Sequence, residues 1–226
     1  PFAAAVEREI DVYHATDYLV PKLARTPVVA TLYDAIPLTN PEWANPRLRA
    51  LKNWLLKRCA LSADAVIAIS NAAVGDLVAH YRIPPARIRV IPLGVDTRWF
   101  ERPRDDRVDA TLHAHGLARG YFLHVGTLQP RKNLDALVTA YERLPSAVRD
   151  ARQLVLVGKY GWGVAGLRDR LLSKRTGGRI VWLDYLTRDV LQDLYYGAGG
   201  FVFPSLAEGF GLPVIEALAV GLPVFV

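Results

Sequence analysis

Residues 204–226 read PSLAEGFGLPVIEALAVGLPVFV, and the fold is decided in this stretch. Just ahead of it, Phe201-Val202-Phe203 is an apolar run short enough for a buried strand. Gly209 and Gly211 then flank Phe210 in a turn. Pro213 suits the first position of a helix, where a missing N–H costs nothing. The pattern predicts a helix to about Val220, with Gly221 as its stop and Pro223 just beyond. Val224-Phe225-Val226 begins another strand. Glu208 in the turn and Glu216 in the helix lie eight positions apart, beside the exposed N–H groups of a helix start, where an anion can be held. Strand, glycine turn and helix N-terminus together form the ligand-binding corner of an open α/β sheet. Each carboxylate also has a plain reading. A Glu near a helix start can serve the macrodipole alone, and a Glu before Gly in a turn is commonly solvated.

The string EGFGLPVIEALAVGLPV as a whole resembles the E-x7-E signature of retaining glycosyltransferases of family 4. The resemblance implies a GT-B fold: two Rossmann-like parallel-sheet domains facing a cleft. Elsewhere, short apolar runs alternate with helix-length segments. The runs are Val12-Tyr13, Val28 to Leu32, Ala65 to Ile69, Ile88 to Ile91, Tyr121 to Val125, Leu154 to Val157 and Ile180 to Leu183. That alternation predicts βαβ units and parallel sheets covered on both faces. Ser70-Asn71 is placed to cap a helix directly after the strand DAVIAIS. The polar stretch ERPRDDR and its surroundings read as an inter-domain connection. The expected organisation is therefore an N-terminal acceptor-side domain over 1–100, a linker over 101–118 and a sugar-nucleotide domain over 119–226. SADAVIAISNAAVGDL and RIRVIPLGVD are similar to the end of the N-terminal domain in family 4.

Composition narrows the classes. The 226 residues are 51% hydrophobic, enough for a proper core, and Cys59 is the single cysteine. One cysteine excludes a disulfide framework and a cysteine-based zinc site, as in a reducing compartment. No apolar run reaches the roughly 18 residues of a membrane span, and no signal-peptide pattern opens the chain. No Met occurs, and an apolar strand stands last, so the chain reads as an internal portion of a longer protein with both domains incomplete. A net charge of +6 favours anionic partners such as sugar nucleotides or a phospholipid surface. The basic amphipathic segment Pro46 to Ser62 reads either as a packed helix with a solvated charged face or as a membrane-surface helix. A cytoplasmic enzyme, peripheral at the inner face of the membrane, is the expected setting. Nucleic-acid binding has no recognition motif to support it.

The second half opens with YFLHVGTLQPRKNLDALVTAYERL. A strand ends at Gly126, and Arg131 and Lys132 stand in a turn before a helix that starts at Asn133 or Leu134. Two cations beside a helix start suit a diphosphate: Arg offers a planar fork and Lys a mobile point charge. The bland alternative is a solvated basic loop. The G-x4-RKN pattern resembles the diphosphate clamp of family 4. No Asp-x-Asp occurs, and the five histidines fall in no metal-ligand spacing, so no metal site is expected. No cofactor is expected either, the nucleoside-diphosphate sugar being a substrate.

The resemblance implies a role for each residue. Glu208 faces the donor sugar near its anomeric carbon and is the catalytic candidate. Glu216 holds the ribose hydroxyls, and the N–H groups around Phe210, Gly211 and Leu212 meet sugar or phosphate. Leu183 to Leu186 lies near the nucleobase. His14 and Asp34, at strand ends of the first half, are acceptor-side candidates, each with a capping or turn role as its plain alternative. In many relatives a His precedes that Asp; here Tyr33 does. The family's N-terminal glycine-rich phosphate loop is not found.

The implied reaction is retaining, metal-independent transfer by a front-face mechanism, from a nucleoside-diphosphate sugar to a glycan or lipid-linked acceptor. GTLQPRKN looks most like mannosyltransferases that build bacterial surface polysaccharides. Two alternatives stay open: a GT-B sugar-nucleotide epimerase and a non-catalytic sugar-nucleotide-binding homologue. A nicotinamide-dependent dehydrogenase would need G-x-G-x-x-G, and EGFGLP supplies only G-x-G.

Overall fold

The computed structural model describes residues 5, 7–43, 49–172 and 179–226. The chain divides into two compact units, residues 1–94 with 208–210, and residues 95–207 with 211–226.

The first unit is a parallel sheet in the order β1 (Tyr13–Ala15), β2 (Val28–Leu32), β3 (Ala65–Ala68), β4 (Ile88–Val90). Its described helices include α1 (Ile36–Thr39), α2 (Arg49–Ala60) and α3 (Asn71–Tyr81). Val28, Ala30, Leu32, Ala68 and Leu77 are buried in its core. The predicted cap is present: the Ser70 side chain accepts from the Ala73 N–H at 3.2 Å. Helix α2 falls inside the predicted segment 46–62, whose residues 46–48 lie outside the described residues.

The second unit has the elements α4 (Asp105–Ala114), β5 (Phe122–Val125), α5 (Leu134–Glu142), α6 (Ser146–Ala151), β6 (Leu154–Val157), α7 (Ala165–Leu172), β7 (Ile180–Leu183), α8 (Arg188–Gly197), β8 (Gly200–Val202), α9 (Leu212–Ala219) and β9 (Val224–Phe225). Its sheet is parallel in the order β7-β6-β5-β8-β9. The chain winds outward from β5 through β6 to β7, then returns to lay β8 on the other side of β5. The two windings meet between β5 and β8, a topological switch point where ligands of open α/β sheets bind. All four residues of β6, Leu-Val-Leu-Val, are buried, as a strand covered on both faces requires. Helix α5 buries Leu134, Leu137, Val138 and Tyr141, a single i, i+3, i+4, i+7 stripe.

Every strand lies within two residues of the apolar run that predicts it. The charge-dense stretch 101–118 carries helix α4, whose Val108 and Leu112 belong to the second unit's core. Charge completes its packing. Arg107 pairs with Asp193 of α8 at 3.0 Å, and the Thr111 hydroxyl donates to the same carboxylate at 2.7 Å. Asp193 is 2% exposed. An ion pair that supplies hydrogen bonds to a buried carboxylate offsets the cost of its desolvation.

Candidate functional site

The turn that follows β5 lies at the switch point of the second unit, beside the residues after β8 that lead to Ala207, and it carries sequence-predicted residues. After β5, the Gly126 N–H donates to Val157 at 2.8 Å and Leu128 donates to Lys159 at 2.9 Å, so the turn is laced to the end of β6. A 3₁₀ turn over Pro130–Lys132 presents the two cations. Asn133 then adopts a left-handed φ of 54° and hands the chain to α5 at Leu134. Asparagine tolerates that conformation better than most side chains.

Arg131 joins this turn to the residues after β8. Its Nη1 donates to the carbonyl of Ala207 at 3.1 Å, and its Nε donates to Gln129 Oε1 at 3.2 Å. In return the Leu206 N–H donates to the Arg131 carbonyl at 2.8 Å. The residues leading directly into Glu208 are thereby held against the basic turn, although 76 positions separate Arg131 from Ala207.

Lys132 departs from the expected mobile cation. It is 5% exposed, and its Nζ sits 4.5 Å above the centre of the Phe203 ring, over the face that attracts a cation. A methyl group added at Gly126 would come within 3.2 Å of Lys132 Cε and 3.4 Å of Nζ. Glycine at 126 therefore leaves the room in which the lysine lies across the strand end. His124, fully buried, stacks on the other neighbour of this arrangement, the Phe203 ring, at 5.7 Å, and its Nδ1 lies 2.9 Å from the Val202 carbonyl.

The helix of the opening motif is α9. Gly211 precedes it with φ 90°, a left-handed backbone that favours glycine, and Pro213 stands in its first turn. Leu212 is exposed, and Phe210 lies in the turn before it. Glu216 is half-buried. Its Oε2 accepts from the Tyr195 hydroxyl at 3.0 Å. Burial raises the Glu216 carboxyl above its usual range, opposed by the Tyr195 hydrogen bond and by the charge of Arg188.

In the first unit, His14 Nε2 lies 2.8 Å from Thr31 Oγ1, across β1 and β2. Asp34 follows β2, and its Oδ1 accepts from the Ile36 N–H at 3.0 Å and from the Tyr18 hydroxyl at 3.1 Å. Asp34 thus has a turn-capping task at the start of α1. Burial, reinforced by the charge of Asp34, pushes the Tyr18 phenol well above its ordinary range, so that phenol stays a proton donor.

The structure brings Gly126, Arg131, Lys132 and the chain entering Glu208 to one sheet edge, with Glu216 on the helix that leaves it. Sequence reasoning missed three groups that shape this edge: Phe203 under the lysine, His124 beside Phe203, and Tyr195 on Glu216. Each sits in an apolar run that reads as core. The available signal was a lone histidine inside the strand Phe122–Val125.

Residues 113–226 match the family described as Glycosyl transferases group 1, and residues 2–99 match Glycosyltransferase Family 4. The chain is 32% identical over 216 residues to O-antigen chain mannosyltransferase B of Escherichia coli, covering 94% of this chain and 56% of that protein. It therefore spans little more than half the length of that curated relative. Among solved structures, HepE of Anabaena with UDP-glucose superposes with a TM-score of 0.76 at 22% identity, over 99% of this chain and 62% of that one. WaaG, a glycosyltransferase involved in lipopolysaccharide biosynthesis, gives 0.72 at 20% identity, over 98% and 60%. At these identities the likeness shows the fold, which is GT-B.

Proposed function

Because the chain belongs to the glycosyl transferases group 1 family, with a family 4 region ahead of it, we propose that the full-length protein transfers a hexose from a nucleoside-diphosphate sugar to a glycan or lipid-linked acceptor. The observation that carries this reading is the switch-point edge of the second unit. There Arg131 and Lys132 stand on one turn, and the Arg131–Ala207 hydrogen bond ties it to the residues that lead into Glu208. A diphosphate held by a guanidinium fork and a largely desolvated ammonium is a stabilised leaving group. The likeness to the mannosyltransferase of E. coli makes mannose the first sugar to test.

In the reaction proposed, the bond between the anomeric carbon and the diphosphate oxygen breaks. The acceptor oxygen forms its bond on the same face, and the acceptor's proton passes to the departing diphosphate oxygen. The configuration is retained. Glu208 stabilises the positive charge that develops on the sugar, Glu216 holds the ribose, and Arg131 with Lys132 takes the role a divalent ion would play. Among the described residues no three His, Cys, Asp or Glu side chains are grouped so as to hold a metal ion. Turnover of at least one donor in a panel of GDP- and UDP-sugars is expected, at an undiminished rate in a chelator. Activity lost in chelator and restored by magnesium or manganese would overturn the metal-free mechanism. A panel with no donor turned over would overturn the transferase reading.

Peripheral contact with an anionic membrane belongs to the same proposal, supported by helix α2. Leu56 and Cys59 pack on the first core, while Leu51, Trp54, Leu55 and the following Leu61 are exposed. On a helical wheel Leu51 and Trp54 lie opposite the packed face, and Leu55 flanks it. Exposed Lys52 and Lys57 flank them, and the Arg58 guanidinium lies 5.4 Å over Trp54. No helix among the described residues is long and apolar enough to cross a membrane. The full-length protein is expected to co-sediment with vesicles of anionic phospholipid, less so at high salt, and Leu51→Ser with Trp54→Ser should weaken that binding. Equal binding to neutral vesicles, or none to either, would count against it.

A further inference from the structure

We propose that Tyr195 is a positioning residue for donor binding: its hydroxyl holds one oxygen of Glu216 and so fixes which carboxylate oxygen is left to face the ribose. This inference rests on the ribose-anchor reading of Glu216. Tyr195 is fully buried on α8, with the Trp99 ring set edge-on at 4.8 Å and the Phe201 ring stacked at 5.5 Å. Held between two aromatic rings, the phenol has little freedom to turn away. Its proton lies between two acceptors on α9, Glu216 Oε2 at 3.0 Å and the Pro213 carbonyl at 3.3 Å. The hydroxyl therefore grips both the carboxylate and the first turn of the helix that carries it.

The grip has a chemical consequence. A ribose hydroxyl is a donor, and the carboxylate accepts from it best when ionised. Burial works against ionisation of Glu216, whereas the Tyr195 hydrogen bond favours it. Tyr195 keeps its own proton throughout, because burial first and the Glu216 charge second push its phenol upward. One charged group adds to it less strongly. Arg188, at the start of α8, favours the carboxylate through its charge. On the 3₁₀ turn Thr97–Phe100, packed against α9, Arg98 pairs with Asp96 at 3.4 Å and with Asp189 at 3.6 Å. Strand β9, on the other side, carries no charge. One Glu216 oxygen is thus anchored to the protein, and the other is the one the ligand meets.

Tyr195→Phe keeps the ring and removes only the hydroxyl. Calorimetric affinity for GDP and UDP, measured from pH 5 to 8 on the full-length protein, is the readout, with Glu216→Gln as the companion. A carboxylate deprived of this bond titrates higher, so the pH below which binding fails should rise by about one unit. At pH 7 the affinity should fall by about three- to tenfold. Donor KM should rise while kcat holds. Thermal unfolding of Tyr195→Phe checks that the variant is folded across the same pH range. An unchanged affinity and acid limit in Tyr195→Phe, with Glu216→Gln weakened, would overturn the Tyr195 inference and leave the ribose anchor standing. A loss of affinity with no movement of the acid limit would mark a packing role and overturn it as well. If Glu216→Gln binds as the parent does, the ribose-anchor reading itself fails, and the inference with it.

Discussion

Glu208→Gln in the full-length protein should lower kcat by about a hundred- to a thousandfold, the range for removing one preorganised electrostatic contact to a transition state. Affinity for the free nucleoside diphosphate should stay close to that of the parent. The substitution keeps the shape of the side chain and one acceptor oxygen, and takes away the negative charge. Free nucleotide has no sugar at the reacting centre, so it cannot sense that charge. The oxocarbenium-like centre does, because positive charge grows on it only as the bond to the diphosphate breaks. A loss confined to kcat and kcat/KM identifies an interaction made in the transition state alone. Steady-state kinetics beside calorimetry separates the cases. A variant within about threefold of the parent rate, or one whose nucleotide affinity falls in step with its rate, would remove Glu208 from the role assigned to it.

The second large effect belongs to the cations, and it should appear in binding. Lys132→Met and Arg131→Ala are each expected to weaken the nucleoside diphosphate by about ten- to a hundredfold, equal to roughly 1.5–3 kcal/mol for one charge-assisted contact. Lys132 should lie at the upper end. The residue is 5% exposed and its ammonium rests on the Phe203 face, so solvent screens it little. Methionine fills nearly the same volume across Gly126, and the variant therefore tests charge rather than packing. Arg131→Ala loses a second thing, the hydrogen bond to Ala207 that ties the turn to the residues after β8. Its kcat should fall as well, since the chain entering Glu208 is no longer held. Parent-like affinity in both variants would dissolve the clamp.

Much of this was legible residue by residue. Pro213 and the left-handed Gly211 mark the start of α9, and Gly221 at φ 81° marks its end, because those positions ask for backbone geometries few residues supply. The basic turn announced itself by a glycine-ended strand, two adjacent cations and a helix with a four-residue buried stripe. Helix α4 was less legible. Only Val108 and Leu112 of its ten residues are buried, and its packing relies on Arg107 and Thr111 reaching a carboxylate on α8. A charge whose partner lies 86 positions away looks, in one dimension, like any solvated charge.

The sequence by itself determined the alternation of strands and helices, the strand positions, and the motif that carries Glu208 and Glu216. These are properties of local period and of single backbone conformations, and such signals need no knowledge of what packs beside them. Tertiary structure alone decided that β8 pairs with β5, which brings two segments some 80 residues apart to a switch point and allows Arg131 to reach Ala207. It alone decided that Lys132 lies buried on Phe203, and that Tyr195 holds Glu216 across 21 positions. Strand order and burial depend on which faces cover one another, a long-range balance of packing and desolvation that no periodicity records.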